Sequence, residues 1–330
     1  MSQNYFQGKK VLVTGASGFV GTHLVQKLVA LGAQVRGTLY QKPPQREEPS
    51  VEYLRCDLTK PEDCLRATQG IDFVFMAAAN SSGAAVMEKT PLVHLTPNVV
   101  MNAHMLAAAY ESQVQKFCFI SSNTVYPLTD FAVCEEDTNF EFFEKYFVVG
   151  WMKRFSELMC EMYAEKIKVP MSTVVVRPGN LYGPFDKYTW KESKVIAALI
   201  RRAVERKDPF VVWGDGMDVK DFLYVDDFVD GLLLAFEHAQ TYQPLNIASG
   251  QPVTIREVLN AILAASGYQN APVEYDASKP TMIPKRMIQI ERIKDLTGWT
   301  PQTCLSEGIC KTVEWYRTTY ANQTPEEIVS

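Results

Sequence analysis

Lys9-Lys-Val-Leu-Val-Thr-Gly-Ala-Ser-Gly-Phe-Val-Gly21, KKVLVTGASGFVG, is the stretch on which the fold turns. Val11 to Val13 make a short apolar run that stops at Thr14-Gly15, a strand and its exit. From Phe19 the spacing becomes helical, runs on through HLVQKLVALG and halts at Gly32, a C-cap signal. Between strand and helix stand three glycines, each with a physical use. Gly15 permits the tight turn, Gly18 lets a pyrophosphate approach the backbone, and Gly21 lets helix and sheet pack closely. The helix N-terminus then offers unpaired N–H groups and a positive dipole end to an anion. A dinucleotide site follows, with Gly15, Ser17, Gly18, Phe19, Val20 and Gly21 as its lining.

The alternation continues outward. AQVRGTLY and VEYLRCDLT read as strands, PEDCLRATQG as a short helix, IDFVFMAAA as a fully apolar strand. NVVMNAHMLAAAYESQ is a helix and VQKFCFISS the strand after it; a long helix from about Val148 to Lys166 precedes the strand MSTVVVRPGNLYG. Short apolar strands separated by helices predict an α/β fold, a Rossmann-type doubly wound parallel sheet covered on both faces. After about residue 180 the pattern loosens into further helices with Pro and Gly between them, which predicts a smaller C-terminal α/β substrate lobe. The expected division is 8–180 for the nucleotide-binding domain and 181–330 for most of the lobe, with the chain crossing back to the main sheet more than once.

Bulk properties narrow the function. The 330 residues carry net charge −5 and no basic stripe, so no field draws nucleic acid. No apolar run reaches the about 18 residues needed to span a bilayer. MSQNYFQGKK lacks the apolar core of a signal peptide, and a cytoplasmic location is expected. NYFQG resembles a protease-site remnant and is set aside from the fold argument. Seven scattered cysteines form no Cys-x-x-Cys pair and are expected to be reduced and mostly buried; four histidines have no ligand spacing, so no metal site is expected.

Four later stretches fall in order behind the glycine loop: CDLT with Asp57, FMAAAN at 75–80, FISSNTVYP at 119–127 and RPGNLYGP at 177–184. A fifth, VWGDGMDVKDFLYVDDFVDG, spans 212–231. Together with Thr14–Gly21 they resemble the extended short-chain dehydrogenases/reductases, the NAD-dependent epimerase/dehydratase family of sugar-nucleotide enzymes. SSNTVYP, RPGNLYGPFDKY and ESKVIAALIRR most resemble its GDP-fucose synthase branch. The resemblance implies NAD(P)-dependent hydride transfer at a sugar carbon of a nucleoside-diphosphate sugar, GDP-linked more than others. It also implies a homodimer pairing the Lys153 helix and the one near 99–112 across a two-fold axis.

The resemblance also implies roles. Asp57 and Leu58 flank the adenine, Ala77, Ala78, Ala79 and Pro178 lie along the cofactor, and Lys153 holds the nicotinamide ribose. Ser122 holds a substrate oxygen. The family's proton-moving tyrosine stands four residues before the lysine, where this chain has Val149; Tyr146, three residues earlier, is the candidate substitute. Two further proton-exchange positions of the GDP-fucose synthases fall on Thr124 and Lys194. For the substrate, Asn180 and Lys220 meet the diphosphate, Arg286 or Lys285 adds a second cation, and Trp213 and Val195 line the base pocket. Arg177 is expected to be structural, and Asp226 and Asp227 to cap the helix after them. The second strand carries no acid, and Arg36 and Lys42 are placed to meet a 2′-phosphate, so NADP is favoured over NAD. With the proton-transfer positions changed, a cofactor-binding regulator or scaffold of the same fold remains the alternative to an enzyme.

Overall fold

The computed structural model describes residues 5–80, 90–190, 193–279 and 281–320. The first half runs β1 (Lys10–Thr14), α1 (Phe19–Ala30), β2 (Gln34–Leu39), β3 (Glu52–Arg55), α2 (Pro61–Thr68), β4 (Phe73–Met76), α3 (Thr96–Glu111) and β5 (Lys116–Ile120). After the two-residue β6 (Ala132–Val133) come α4 (Phe147–Glu161), β7 (Ser172–Pro178) and β8 (Asn180–Tyr182). The remainder is α5 (Val195–Val204), β9 (Phe210–Trp213), β10 (Val219–Tyr224), α6 (Val225–His238) and β11 (Gln243–Ile247). Then follow β12 (Pro252–Thr254), α7 (Ile255–Ser266), β13 (Val273–Asp276), β14 (Met287–Ile288), α8 (Glu291–Thr297) and α9 (Leu305–Tyr320).

Seven strands form one sheet in the order β11-β7-β5-β4-β1-β2-β3, every neighbouring pair parallel. Strands such as KVLVT and FVFM are almost wholly apolar because helices cover both faces. Leu24, Val25 and Leu28 of α1 meet Phe228, Leu232 and Phe236 of α6 on one side. Met105, Leu106 and Ala109 of α3 pack on the other, with Cys160 of α4. Each such side chain contributes about 1.5–3 kcal/mol by leaving water. The strand order reverses between β1 and β4, the switch point at whose carboxyl side folds of this type bind ligands. The glycine loop leaves β1 at that edge, Ala77–Asn80 leaves β4, and the Ser121–Tyr126 turn leaves β5.

A second core gathers Ile196, Leu199 and Ile200 of α5, Val258, Leu259 and Ile262 of α7, and Ile309, Val313 and Tyr316 of α9. The stretch MSTVVVRPGNLYG, expected as one strand, is two. It breaks at Gly179, and β8 joins β10 and β12 in a separate three-stranded sheet. Helix α6 packs on the main sheet, and β11 pairs with β7 at its edge. Strand β11 escapes a pattern search because QPLNI holds a proline; as the sheet's edge strand it tolerates one.

Tyr5 and Phe6, part of the segment excluded from the fold argument, belong to the fold. Phe6 is 1% exposed, its ring 6.0 Å from Phe236, and Tyr5 stacks on Phe73 at 5.5 Å. Apolar surface under the amino ends of β1 and β4 needs that cover. Asp226 and Asp227 stand in the first turn of α6 but cap nothing there. Asp226 instead meets His23 Nδ1 at 2.6 Å, and Asp227 accepts the backbone N–H groups of Gln302 and Thr303.

Candidate active site

The glycine loop is held from below. Thr14 Oγ1 accepts the N–H groups of Ala77 and Ala78 at 3.1 and 3.0 Å, joining the exits of β1 and β4. Gly15 adopts φ +66°, and a Cβ there would stand 2.8 Å from Ala78 Cα. At Gly21 a Cβ would lie 2.1 Å from the Gly15 carbonyl oxygen, so no side chain fits. Helix α1 starts at this loop with no side-chain cap and no acid in its first turn. That uncapped N-terminus, walled by glycines, fits the pyrophosphate of a dinucleotide. Ser17, Phe19 and Val20 line it, each partly exposed.

Just after β3, Asp57 accepts both Thr59 N–H and Thr59 Oγ1, at 3.1 and 2.6 Å. These bonds hold its carboxyl below the usual carboxylate range. Leu58 points into the core and offers only its backbone. Arg36, expected beside a 2′-phosphate, is turned elsewhere. Its Nε pairs with Glu52 at 2.8 Å and its Nη1 holds the carbonyls of Ala67 and Gln69 at the end of α2. It lies mid-strand, short of the carboxyl end where the ribose would sit. Lys42 is exposed, and Arg55 Nη1 donates to the Tyr40 and Gln41 carbonyls at that strand end. Ala79 is exposed beyond β4, and the buried Pro178 gives its carbonyl to Asn123 Nδ2 at 3.0 Å.

Lys153 donates through Nζ to the Ile120 carbonyl at 2.7 Å, with Phe119 beneath it, 4.9 Å from nitrogen to ring centre. Burial lowers its pKa to about 8, opposed by the charge of Glu157. Ser122 caps the short turn Asn123–Val125, its Oγ accepting Thr124 N–H at 3.2 Å, which leaves its own proton to give. The Thr124 hydroxyl is buried and has no hydrogen-bond partner. Val149 lies one turn before Lys153 in the first turn of α4. Gly150 beside it is obligatory: a Cβ there would come within 2.8 Å of the Thr124 carbonyl and 2.7 Å of the Phe142 ring.

Arg286 closes the far end of the same turn. It is 1% exposed, and Nη2 donates to the carbonyls of Tyr126 and Pro127 at 3.1 and 2.9 Å. Nε and Nη1 are buried without a partner. Burial lowers its pKa to about 10, and the groups acting on it include no carboxylate. Lys285 is directed outward to the Asp130 carbonyl. Lys220 pairs with Asp218 at 3.1 Å and donates to the Ile283 carbonyl. Tyr146 stands at the N-cap of α4, its hydroxyl facing Ile283 N–H within the field of Arg286; burial pushes its pKa up to about 12.

Asn180 gives its amide to the Asp221 carbonyl at 3.0 Å. Lys194, exposed at the N-cap of α5, lies 5.6 Å from the Phe19 ring centre and within the field of the buried Asp186. Val195 and Trp213 are 38% and 39% exposed, so neither is spent in the core.

Three groups escaped the sequence reading. Glu157, fully buried, accepts Ser121 Oγ at 2.6 Å and both Nε and Nη2 of the equally buried Arg177. Its place one turn after Lys153 was the available signal. Asp221 is also fully buried, its two oxygens on the N–H groups of Ser249 and Gly250 at 2.7 and 2.9 Å. Asn246 accepts the Tyr126 hydroxyl at 2.5 Å, a contact across 120 positions that no local pattern carries.

Among the described residues no cluster of metal-binding side chains occurs, and no helix is long and apolar enough to cross a membrane. A family model described as "NAD dependent epimerase/dehydratase family" matches residues 11–248. The probable GDP-L-fucose synthase 1 of Oryza sativa subsp. japonica is 29% identical over 324 residues, covering 94% of this chain and 92% of its own. The GDP-mannose 3,5-epimerase 1 of the same plant is 27% identical, covering 96% and 84%. Among solved structures, the UDP-glucose 4-epimerase of Thermotoga maritima with UDP-glucose superposes with a TM-score of 0.84 at 26% identity, over 94% of this chain and 99% of that one. Fold, glycine cradle and sequence agree: the chain belongs to the NAD-dependent epimerase/dehydratase family.

Proposed function

We propose that this chain is a nicotinamide-dependent enzyme that modifies the sugar of a nucleoside-diphosphate sugar, as an epimerase, dehydratase, reductase or dehydrogenase. One observation carries the reading. The segment Ile120–Pro127 is gripped at one end by Lys153 and at the other by Arg286, whose two buried donors await an anion. A sugar laid along this turn has its reacting carbon near Lys153 and its diphosphate near Arg286.

A bound nicotinamide supplies a hydride acceptor or donor; the chain supplies placement and proton handling. Lys153 holds the ribose and brings positive charge to the reacting end. Ser122 donates its free proton to a sugar oxygen, and Thr124 adds a second unspent hydroxyl. Val149 transfers no proton, so exchange at the sugar falls to Thr124, Lys194 or water. Asn180, Lys220 and Arg286 take the diphosphate, while Trp213 and Val195 border the base. The C-terminal lobe from about residue 181 carries most of these groups.

NADP is the favoured cofactor, because β2 is followed by Tyr40-Gln-Lys42 without an acid and Arg55 reaches the same strand end. A GDP sugar is the favoured substrate, on the likeness to two GDP-sugar enzymes. The chain is proposed to work as a homodimer through α3 and α4, where Phe147, Trp151 and Phe155 are exposed along one face of α4.

The test incubates the purified protein and nicotinamide with GDP-, UDP-, dTDP- and CDP-sugars. Nicotinamide absorbance and sugar products are followed together. A product from one series supports the enzyme. Tight dinucleotide binding with no product from any series favours the regulator, the reading that Val149 keeps alive.

A further inference from the structure

We propose that Tyr146 is a substrate-positioning residue whose hydroxyl binds the diphosphate beside Arg286 and takes no part in proton transfer at the sugar. The inference rests on the nucleotide-sugar reading above and assigns one more group to that site.

The direction of the side chain comes first. Tyr146 ends the short turn Glu144–Tyr146 and stands just outside α4, so it leaves the chain before the face shared by Val149 and Lys153 is established. Its hydroxyl meets Ile283 N–H, and the charges acting on it are those of Arg286 and Asp218. Lys153 is not among them; its Nζ gives one of its N–H groups to the Ile120 carbonyl. A tyrosine outside the lysine's field is not readied by the cation at the reacting end, and the Arg286 charge it does feel is outweighed by burial. The phenol keeps its proton throughout the neutral range.

A protonated hydroxyl that faces a backbone N–H with its oxygen still has an O–H to give. The need for an acceptor is set by Arg286. A guanidinium this deeply buried, with two donors unmet and no carboxylate acting on it, is completed by an anion that arrives with the substrate. Asp218 is already occupied by Lys220. An oxygen of a diphosphate reached by Arg286 is the acceptor this geometry offers Tyr146.

The placement also joins the two lobes. Residues 281–286 form a strap fastened to the entry of α4 and to the turn after β5. Lys145 Nζ donates to the Thr281 carbonyl at 2.6 Å, and Arg286 to Tyr126 and Pro127. Lys220 holds the Ile283 carbonyl from the substrate lobe. A diphosphate bridging Tyr146 and Arg286 tightens this strap against the helix that carries Lys153.

The experiment compares wild type with Tyr146→Phe, both saturated with nicotinamide dinucleotide. Titration calorimetry measures binding of the nucleoside diphosphates of guanine, uracil, thymine and cytosine, and of the matching monophosphates. Loss of one hydrogen bond to a charged oxygen weakens the diphosphate by about tenfold or more. Monophosphate affinity, dinucleotide affinity and melting temperature stay as in wild type, and in turnover the rise in KM exceeds the fall in kcat. Unchanged diphosphate affinity with a collapse of kcat would make Tyr146 the proton carrier and overturn the proposal. Unchanged affinity and turnover would make it a packing residue, with the same consequence. A wild-type protein that binds dinucleotide but no nucleoside diphosphate overturns the substrate reading, and the role of Tyr146 with it.

Discussion

Glu157 and Arg177 face each other through two hydrogen bonds, Nε to Oε1 at 2.9 Å and Nη2 to Oε2 at 2.8 Å, with side-chain exposures of 0% and 1%. The pair sits behind the Ser121–Tyr126 turn. Glu157 holds Ser121 Oγ, and Arg177 Nη1 reaches the Tyr126 hydroxyl at 3.1 Å and the Glu135 carbonyl at 2.8 Å. Ser122 and Thr124 lie on the span between those two anchors. The pair thus fixes the turn from beneath and is itself wholly buried.

Removing Glu157 strands the buried Arg177 guanidinium and takes the carboxylate from Arg154, and removing Arg177 leaves the buried Glu157 to Arg154 at 3.0 Å. Glu157→Ala or Arg177→Ala should cost about 3–5 kcal/mol by chemical denaturation. The double change Glu157→Leu with Arg177→Met should cost less than Glu157→Ala, because it strands only the partly exposed Arg154 and not the buried Arg177 as well. Equal losses in all three variants would show that packing, not charge, dominates here.

The same pair sets an acid limit. Burial raises the Glu157 pKa, but Arg177, Ser121 and Arg154 more than offset this, so the net value lies below the ordinary 4.5. A depressed carboxyl contributes stability above its unfolded pKa and loses it as pH falls through the folded one. Wild type should therefore lose stability steeply below about pH 4, and Glu157→Gln should flatten that slope. An identical slope in both proteins would assign acid unfolding to other carboxylates.

Gly21→Ala tests the cradle. A Cβ 2.1 Å from the Gly15 carbonyl oxygen must push α1 off the sheet or open the loop. The variant should lose nicotinamide binding by about a hundredfold or more and about 2–3 kcal/mol of stability, as overpacking does. Gly18→Ala meets the same oxygen at 3.1 Å and should be milder in both measures. Fluorescence titration with the dinucleotide reads the difference.

How far the sequence reached follows from how local each cause is. The glycine loop was legible because spacing within a few residues specifies it, whereas Lys153 was singled out only by the family resemblance of the helix after it. The central strands were legible because burial on both faces leaves an apolar run. Arg36 misled because its partners, Glu52 and the carbonyls at the end of α2, are brought together only by the sheet and its crossover. Tyr146 was judged by its distance along the helix, whereas its direction depends on Ile283 and Arg286, far along the chain. The N-terminal aromatics looked dispensable because nothing nearby in sequence shows that Phe73 and Phe236 need covering.

Lys153 should make activity and stability move in opposite directions with pH. Burial brings its pKa to about 8, from 10.5 in an exposed lysine. Between those values the unfolded chain holds the proton more tightly, so stability from this group rises with pH, while the charged form needed at the ribose is lost. Turnover should fall above about pH 8 and resist recovery by more cofactor. Lys153→Met should lower kcat by about a hundredfold or more and abolish that limb. Lys116, also near 8 through burial, holds the Phe236 and Ala239 carbonyls away from the site. Lys116→Met should change the pH dependence of stability alone. If Lys116→Met also moves the activity limb, the assignment to Lys153 fails.

The last prediction concerns the face of α4 turned away from Lys153. Phe147, Trp151 and Phe155 recur at every fourth residue and are 51%, 39% and 42% exposed. Phe140 packs on Trp151 at 5.3 Å, and Tyr110 of α3 meets Tyr163 at 5.5 Å, so the aromatic surface extends across both helices. An aromatic patch of this kind marks an association surface, and a two-fold axis beside it lets the same patch serve both protomers. A stable dimer buries about 800 Å² on each partner, which two such helices can supply. Light scattering should give twice the chain mass for wild type at micromolar concentration. Trp151→Glu combined with Phe155→Lys should halve that mass while the glycine cradle still binds dinucleotide. A wild-type monomer at that concentration would remove the dimer and leave the aromatic face without a partner of its own kind.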